Sequence, residues 1–317
     1  MERTDAPAVA SLERAYQPVV RVANVDRFWP VSVNTVLALD REGTRTQLDV
    51  DGQPPRDADV SELTPSGTAN DYLDYPAAID HVQEQFCSVL DALHTPDAAI
   101  VQWDTQPLAL DPFRSAEIYV YRTDAAQYRN IPSLPGGLLS LQYWFFYPEN
   151  YLASLVDRGS MLTNPLGSIK AALDYHEGDW EHVAVLLDPQ TMEPRFLYLA
   201  RHGSHEAVAF RWGDPAVQWE GTHPVVYPSI GSHASYNRCG LQKRSGPIPD
   251  DWALCGDEQL FTFQPTSTAL VDLRSVGWSC WPGHFGQRAP HGFPQEFADG
   301  PRSPLVQDEN SHGPTCG

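Results

Sequence analysis

The segment DWEHVAVLLDP, residues 179–189, begins with acidic residues that alternate with other types. It continues as an unbroken apolar run that ends at an Asp-Pro pair. Side chains of a β-strand point alternately to its two faces. One face of this segment would therefore carry Asp179, Glu181, Val183, Val185 and Leu187. The pattern predicts a largely buried strand with two carboxylates at the start of one face.

Similar strand-like runs lie on both sides of this segment, separated at short intervals by Pro, Gly and Asp. They are AAIVQW (98–103), AEIYVYR (116–122), LLSLQYWFFYP (138–148), PRFLYLARHG (194–203), AVAFRW (207–212), AVQW (216–219) and HPVVYPSIG (223–231). Residues 16–40 also read as short strands with breaks. Many short strands with frequent turns are typical of sandwiches and barrels. We predict a mainly β chain with a β-sandwich core, folded as one domain over residues 1–317.

Three stretches depart from this pattern. Residues 70–94 place apolar side chains at helical spacing and predict an amphipathic helix. Residues 150–174 have a helical composition but are interrupted near Gly159 and at Pro165. They predict a helical insertion beside the two carboxylates of the strand that starts at residue 179. Residues 241–317 are rich in Pro, Gly and Trp and have little periodicity. They predict an irregular tail that wraps the core.

The charge of the chain limits its partners. The formal net charge is -20, which repels phosphate backbones, so we expect no nucleic-acid partner. The same charge argues against broad attachment to anionic lipid and favours a bound cation. The sequence has no long apolar run and no leader-like start. We therefore expect a soluble, cytoplasmic protein.

The cysteines indicate which thiol chemistry to expect. They are Cys87, Cys239, Cys255, Cys280 and Cys316. No C-x-x-C pair occurs, so a zinc ribbon or a thioredoxin-like site is not expected. We predict buried free thiols, with a disulfide among the C-terminal cysteines as the alternative.

The stretch HEGDWE, residues 176–181, concentrates potential metal ligands. Two carboxylates on one strand face lie roughly 6–7 Å apart and repel each other unless a cation or donors compensate. Gly178 permits a bulge or turn that would bring His176 to the side of Asp179 and Glu181. These three side chains predict a divalent ion, with Mg, Mn, Ca or Fe(II) favoured over Zn. The spacing does not fit H-E-x-x-H, because the next histidine is His182.

Several motifs resemble the vacuolar-protein-sorting sixty-two family. They are LQYWFFYP (141–148), HEGDWEHVAV (176–185), ARHG (200–203) and HPVVYPSIGSHASY (223–236). The opening YQPVVRVANVDRFWPVSV is also similar to the opening of that family, so the resemblance covers roughly residues 16–240. The most specific pair is HEGDWE together with GSHASY.

The same core is distantly similar to the necrosis- and ethylene-inducing toxin family. That resemblance implies a β-sandwich with a His-x-x-Asp-x-Glu metal site, onto which His176, Asp179 and Glu181 map. It also implies a further ligand after the aromatic strand, a role for which Glu149 and Asp174 are the candidates. The toxins carry a second histidine where this chain has Gly178, so toxin activity is not expected.

Further histidines follow predicted strands, where loops commonly build sites. An imidazole within reach of a metal-bound water would act as general acid or base, and His233, His202 and His205 are the candidates. The first hypothesis is a metal-dependent hydrolase or lyase that acts on a small organic substrate by hydrolysis, elimination or cyclisation. The alternative is a non-catalytic protein that binds a lipid or glycan headgroup through a metal ion.

Overall fold

The structure is a computed structural model that describes residues 11–24, 26, 28–41, 44–50, 53–74, 116–125, 128, 131, 134–150, 176–202, 206–244, 250–257, 260–287 and 299–307. The strands are β1 (Val19–Ala23), β2 (Asp40–Arg41), β3 (Thr44–Arg45), β4 (Gln47–Asp49), β5 (Arg56–Asp57), β6 (Tyr72–Asp74), β7 (Glu117–Asp124), β8 (Leu139–Asn150), β9 (His176–Leu187), β10 (Pro194–Leu199), β11 (Val208–Arg211), β12 (Trp219–Glu220), β13 (His223–Pro228), β14 (Ser235–Tyr236), β15 (Gly240–Gln242), β16 (Asp251–Ala253), β17 (Leu260–Phe263) and β18 (Ala269–Asp272). Short α-helices are α1 (Ser11–Ala15), α2 (Val33–Leu37) and α3 (Pro304–Gln307), and 3₁₀-helices span Val60–Glu62, Leu273–Ser275 and Gly277–Cys280.

Two larger sheets form the core. The first has the order β12-β13-β1-β17, with β14 paired to β13, and the second has the order β11-β10-β9-β8-β7-β18. Buried side chains of both sheets, such as Val20 and Val226 from the first and Phe145 and Val185 from the second, belong to one hydrophobic cluster. The fold is therefore mainly β with a sandwich core, as the strand pattern predicts.

The long hairpin β8–β9 is the centre of the second sheet. Its antiparallel register runs from Leu139 opposite Leu187 to Asn150 opposite His176 without a shift. Alternation along this register places Asp179 and Glu181 on the face that also carries Phe145 and Tyr147. That face contributes to the core shared with the first sheet, and the other face carries the indole of Trp180.

The strand predictions between residues 116 and 231 agree with β7 to β13, whereas AAIVQW lies outside the described residues. Among the described residues of 16–40, β1 is followed by the helix α2 and by Asp40, the first residue of β2. The side chains of Val33, Val36 and Leu37 are buried on that helix. Their spacing of three and four residues is helical, and the β-branched composition obscures it in the sequence.

The helix predicted for residues 70–94 is wrong at its start. Tyr72–Asp74 forms β6, which pairs with β4, and the backbone N–H of Leu73 donates to the carbonyl of His284 at 2.9 Å. Pairing with two distant segments overrides the local helical spacing, and the remaining predicted helix lies outside the described residues. For the predicted insertion, Asn150 is the last residue of β8, and residues 151–174 lie outside the described part.

The tail predicted to be irregular instead supplies strands. β17 pairs with β1 in the first sheet, and β18 runs parallel to β7 at the edge of the second. β15 and β16 form a separate two-stranded hairpin. Strands of three or four residues contain too few positions for a visible period of two.

The expectation of free thiols is also wrong, because Cys239 and Cys255 form a disulfide and Cys280 is disulfide-bonded as well. Pairing of β15 with β16 brings the Cα atoms of Cys239 and Cys255 to 5.1 Å, a separation that a disulfide requires. Within the described residues, no helix is both long enough and apolar enough to cross a membrane.

Candidate functional site

Acidic and imidazole side chains meet where the first half of β9 faces the loop that follows β13. The loop enters this space through His233, whose backbone is left-handed with φ of 53°, a conformation that His adopts more readily than most residues. The N–H of His233 donates to the carbonyl of Ser229 at 3.1 Å. The N–H of Gly231 donates to Oδ2 of Asp26 at 3.0 Å. The GSHAS sequence thus forms a tight turn that presents an imidazole to the core.

His233 lies between two carboxylates. Its Nδ1 is 2.9 Å from Oδ2 of Asp179 and its Nε2 is 3.7 Å from Oδ2 of Asp26. The side chain is fully buried. Burial alone would lower the pKa of His233, but Asp26 and Asp179 outweigh it and raise the pKa to about 9. His233 is therefore a fixed cation at neutral pH.

The ring of Tyr147 stacks on His233 with centroids 3.9 Å apart and planes 4° from parallel. Burial, together with the charges of Glu181, Asp179 and Asp26, raises the pKa of Tyr147 well above its usual value. Within the described residues, neither the Tyr147 hydroxyl nor Nε2 of His233 has a hydrogen-bond partner. Two buried polar atoms next to Asp26 and Asp179 are thus left to a water or a ligand atom.

Glu181 is the carboxylate of this group that no described cation neutralises. Burial and the charges of Asp179 and Asp251 raise its pKa well above the usual value. Its side chain is only partly covered. These surroundings favour the protonated form of Glu181, and its partly exposed side chain can exchange that proton.

Asp251, at the start of β16, has the opposite character. Its Oδ2 lies 2.5 Å from Nε2 of His202 and accepts from the hydroxyl of Tyr236 at 2.5 Å. Its Oδ1 accepts from the hydroxyl of Ser232 at 3.2 Å. Burial raises the pKa of Asp251, but these donors and Arg244 more than compensate and lower it overall. Asp251 is an anchored carboxylate that fixes the orientation of a partly exposed imidazole.

We call Asp26, Asp179, Glu181, His202, His233 and Asp251 the carboxylate–histidine cluster. Among the candidates from the sequence, the structure brings Asp179, Glu181, His202 and His233 into it. His205 lies outside the described residues.

Of the predicted metal ligands, His176 begins β9 and lies opposite Asn150. The register of β9 is unbroken through Gly178, so this glycine makes no bulge. Nδ1 of His176 is 2.6 Å from the carbonyl of Gly178, and Nε2 is 3.1 Å from the amide nitrogen of Asn150. Both ring nitrogens are thereby occupied.

Glu149 is buried opposite Glu177 in the register, and Asp174 lies outside the described residues. In the part of the chain that the structure describes, no group of three or more His, Cys, Asp or Glu side chains could hold a metal ion.

The sequence analysis missed Asp26, Asp251 and Tyr236 as site residues. Tyr236 ends the GSHASY motif, and Asp26 lies in the opening segment that resembles the same family, so the motifs held a signal for both. Asp251 lies in the segment predicted to be irregular, where no local pattern marks it.

Three solved structures match the chain at low sequence identity. A necrosis- and ethylene-inducing protein from the causal agent of cocoa's Witches Broom disease has 13% identity and a TM-score of 0.39, over 88% of this chain and 85% of that chain. NLPPya in complex with mannosamine has 14% identity and a TM-score of 0.30, over 63% of this chain and 68% of that chain. NLPPya in complex with glucosamine has 13% identity and a TM-score of 0.30, over 62% of this chain and 66% of that chain.

No curated protein matches the chain. One family model does, and the matched segment extends from β7 to just beyond β15, so it includes the aromatic strand β8, the HEGDWEHV strand and the GSHASY turn. The opening segment lies outside the match. Residues 116–246 match the model of the family described as vacuolar protein sorting-associated protein 62, which confirms the resemblance that these motifs indicate.

Proposed function

We propose that the chain is an enzyme that performs general acid–base chemistry on a small polar organic substrate at the carboxylate–histidine cluster. The observation that carries the proposal is the contact between Asp251 and His202. A carboxylate held by other donors orients a partly exposed imidazole through one nitrogen, which is the arrangement that prepares a general base.

The two exchangeable groups have different roles in the proposal. His202 uses Nε2 on Asp251, so Nδ1 would accept a proton from a water molecule or from a substrate carbon. Glu181 has a raised pKa and would return a proton to the leaving group. A positioned proton acceptor close to a positioned proton donor is typical of acid–base pairs. Hydrolysis and elimination both need one acceptor and one donor of this kind.

His233 has a supporting role in this scheme. It is fully buried and held by two carboxylates, so it does not exchange protons with a substrate. Its positive charge neutralises Asp26 and Asp179, which leaves Glu181 as the group with an unbalanced charge. His233 is accordingly a positioning residue rather than the general base.

The test is turnover of a panel of carboxylic esters, lactones and β-hydroxy acids, followed by mass spectrometry, with His202→Asn and Glu181→Gln. Each substitution should lower kcat by about 10²-fold or more, since loss of a general acid or base typically costs that much. His223→Asn is the matched control, because its Nδ1 lies 2.9 Å from the carbonyl of Gln17, outside the cluster. Wild-type rates in both cluster variants would contradict the proposal.

The alternative, a non-catalytic protein that binds a lipid or glycan headgroup, stays a prediction. It predicts binding of the headgroup without conversion of any member of the substrate panel.

A further inference from the structure

The hairpin β15–β16 connects the carboxylate–histidine cluster with the protein surface. Gly240 pairs with Ala253, Leu241 with Trp252 and Gln242 with Asp251. Gln242, Asp251 and Ala253 are buried on its inner face, whereas Leu241 and Trp252 are exposed at 45% and 39%. The inner face thus carries the carboxylate that binds His202.

Few contacts within the hairpin keep it closed. Each strand has three residues, too few for pairing between the two strands to be stable by itself. At the turn end, Nζ of Lys243 lies 2.5 Å from Oδ2 of Asp250, but the lysine side chain is 78% exposed and such a pair contributes little. At the open end, the Cys239–Cys255 disulfide covalently joins the residue before β15 to a residue just after β16.

The disulfide is accessible to other thiols. Cys255 is exposed and Cys239 is partly buried. Thiol–disulfide exchange begins with attack of a thiolate on one sulfur, so its rate depends on this access. An exposed disulfide next to a residue that orients a catalytic group is positioned to change that group.

We propose that the Cys239–Cys255 disulfide is a thiol–disulfide exchange site. Its redox state controls the hydrogen bond between Asp251 and His202. A dithiol reductant supplies two electrons and two protons, is itself oxidised to a disulfide, and leaves Cys239 and Cys255 as thiols. The open end of β15–β16 then separates. Asp251 moves with β16, and His202 loses the partner that fixes its orientation. The effect on turnover rests on the proposed function, whereas the effect on the hydrogen bond does not.

The first experiment follows the hydrogen bond directly. In protein with ¹⁵N-labelled histidine, the ring N–H of His202 that contacts Asp251 should give a downfield proton resonance, assigned by its loss in His202→Asn. Stepwise reduction of the folded wild-type protein with dithiothreitol, with alkylation and peptide mass spectrometry at each step, should label Cys239 and Cys255 as this resonance disappears. A resonance that persists when both cysteines are fully alkylated would overturn the proposal.

Variants separate this disulfide from the one formed by Cys280. Cys239→Ser with Cys255→Ser should lose the resonance and lower kcat by about tenfold or more, because small displacements of a catalytic group are costly. Cys280→Ser, which leaves the hairpin disulfide intact, should keep the resonance. If the double variant does not fold, the reduction of the wild type decides.

Failure of the proposed function gives a different result from failure of this inference. A wild-type protein that converts no substrate but loses the resonance on reduction would reject the enzyme and retain the exchange site. Unchanged turnover and an unchanged resonance in the folded double variant would reject the exchange site alone.

Discussion

Three carboxylates of the cluster lie close together but differ in their partners: Asp179, Asp251 and Glu181. Asp179 is bound by His233 and Asp251 by three donors, whereas Glu181 pairs with no cation among the described residues. Burial without compensation favours the protonated form of a carboxylate. A protein tolerates such a group at a cost in stability, and active sites are where this cost is commonly found.

Replacement of Glu181 by Gln should therefore stabilise the fold while it removes turnover. The folded-state pKa of Glu181 is raised above its ordinary value of 4.5, so the wild type loses stability as the pH rises through 4.5 towards that raised value. Glu181→Gln should match the wild type near pH 4 and exceed its free energy of unfolding by at least ~1 kcal/mol at pH 7. Urea denaturation at several pH values measures this difference.

The matched control for that experiment is Glu193→Gln, at an exposed turn position. It should leave the free energy of unfolding unchanged at both pH values. A Glu181→Gln variant that is less stable than the wild type at pH 7 would show that the ionised carboxylate is compensated after all.

At this scale the sequence predicted the part of the site that depends on local geometry. Asp179 and Glu181 share a face because strand alternation is a local rule. The approach of His233 depends on a left-handed turn 50 or so residues later in the chain, and that of Asp251 on the separate hairpin β15–β16. Such long-range contacts leave no periodic pattern around residue 179.

At the scale of elements, β9 is constrained by a segment from far along the chain. Gly178 has a φ of 68°, and a Cβ added there would lie 1.7 Å from the carbonyl oxygen of Phe285. Gly286 meets β9 equally closely, because its Cβ would lie 2.0 Å from the carbonyl oxygen of Glu177. The sequence predicts that Gly178 permits a bulge or turn, and its positive φ uses the backbone freedom of glycine. The structure adds a close backbone approach, which the local sequence does not reveal.

Gly178→Ala and Gly213→Ala form a matched pair that isolates this contact. Both glycines have positive φ, 68° and 79°, so both substitutions carry a similar backbone strain of roughly 1–2 kcal/mol. Gly213 has no atom within 4 Å of an added Cβ, whereas Gly178 meets the backbone of Phe285. Gly178→Ala should lower the free energy of unfolding by about 2 kcal/mol or more beyond Gly213→Ala, a typical penalty for overpacking. Equal losses in chemical denaturation would contradict the close approach.

At the scale of the whole molecule, the C-terminal region completes both large sheets. β17 is the edge of the first sheet and β18 is the edge of the second, and only five residues, 264–268, separate the end of β17 from the start of β18. The order of the central strands follows from long hydrophobic runs, which the sequence predicts well. The edge strands LFTF and ALVD are short and half-buried. They join a sheet because they pair with the neighbouring strands.

The pH range of stability is also a property of the whole molecule, and two histidines, His182 and His233, limit it from opposite sides. His182 stacks on Trp144 with centroids 4.2 Å apart, and burial lowers its pKa from 6.5 to about 3. The unfolded chain therefore binds the proton more tightly, and stability falls as the pH drops below 6.5, by an amount on the order of 5 kcal/mol when His182 is fully protonated. For His233 the pKa is raised from 6.5 to about 9, so its contribution is complete below pH 6.5 and is lost as the pH rises through 9.

Two variants test these limits in urea unfolding from pH 4 to pH 10. His182→Phe keeps an aromatic ring next to Trp144 and should reduce the loss of stability on the acid side, while the alkaline side stays as in the wild type. His233→Gln leaves Asp26 and Asp179 without their cation and should be destabilised by about 3 kcal/mol at pH 6, a deficit that shrinks as the pH rises from 6.5 to 9 because the stabilisation from the raised pKa is lost over that range. An acid-side slope in His182→Phe equal to that of the wild type would show that another group sets the lower limit. A His233→Gln deficit that stays constant between pH 6.5 and pH 9 would show that the imidazole contributes through packing on Tyr147 rather than through charge.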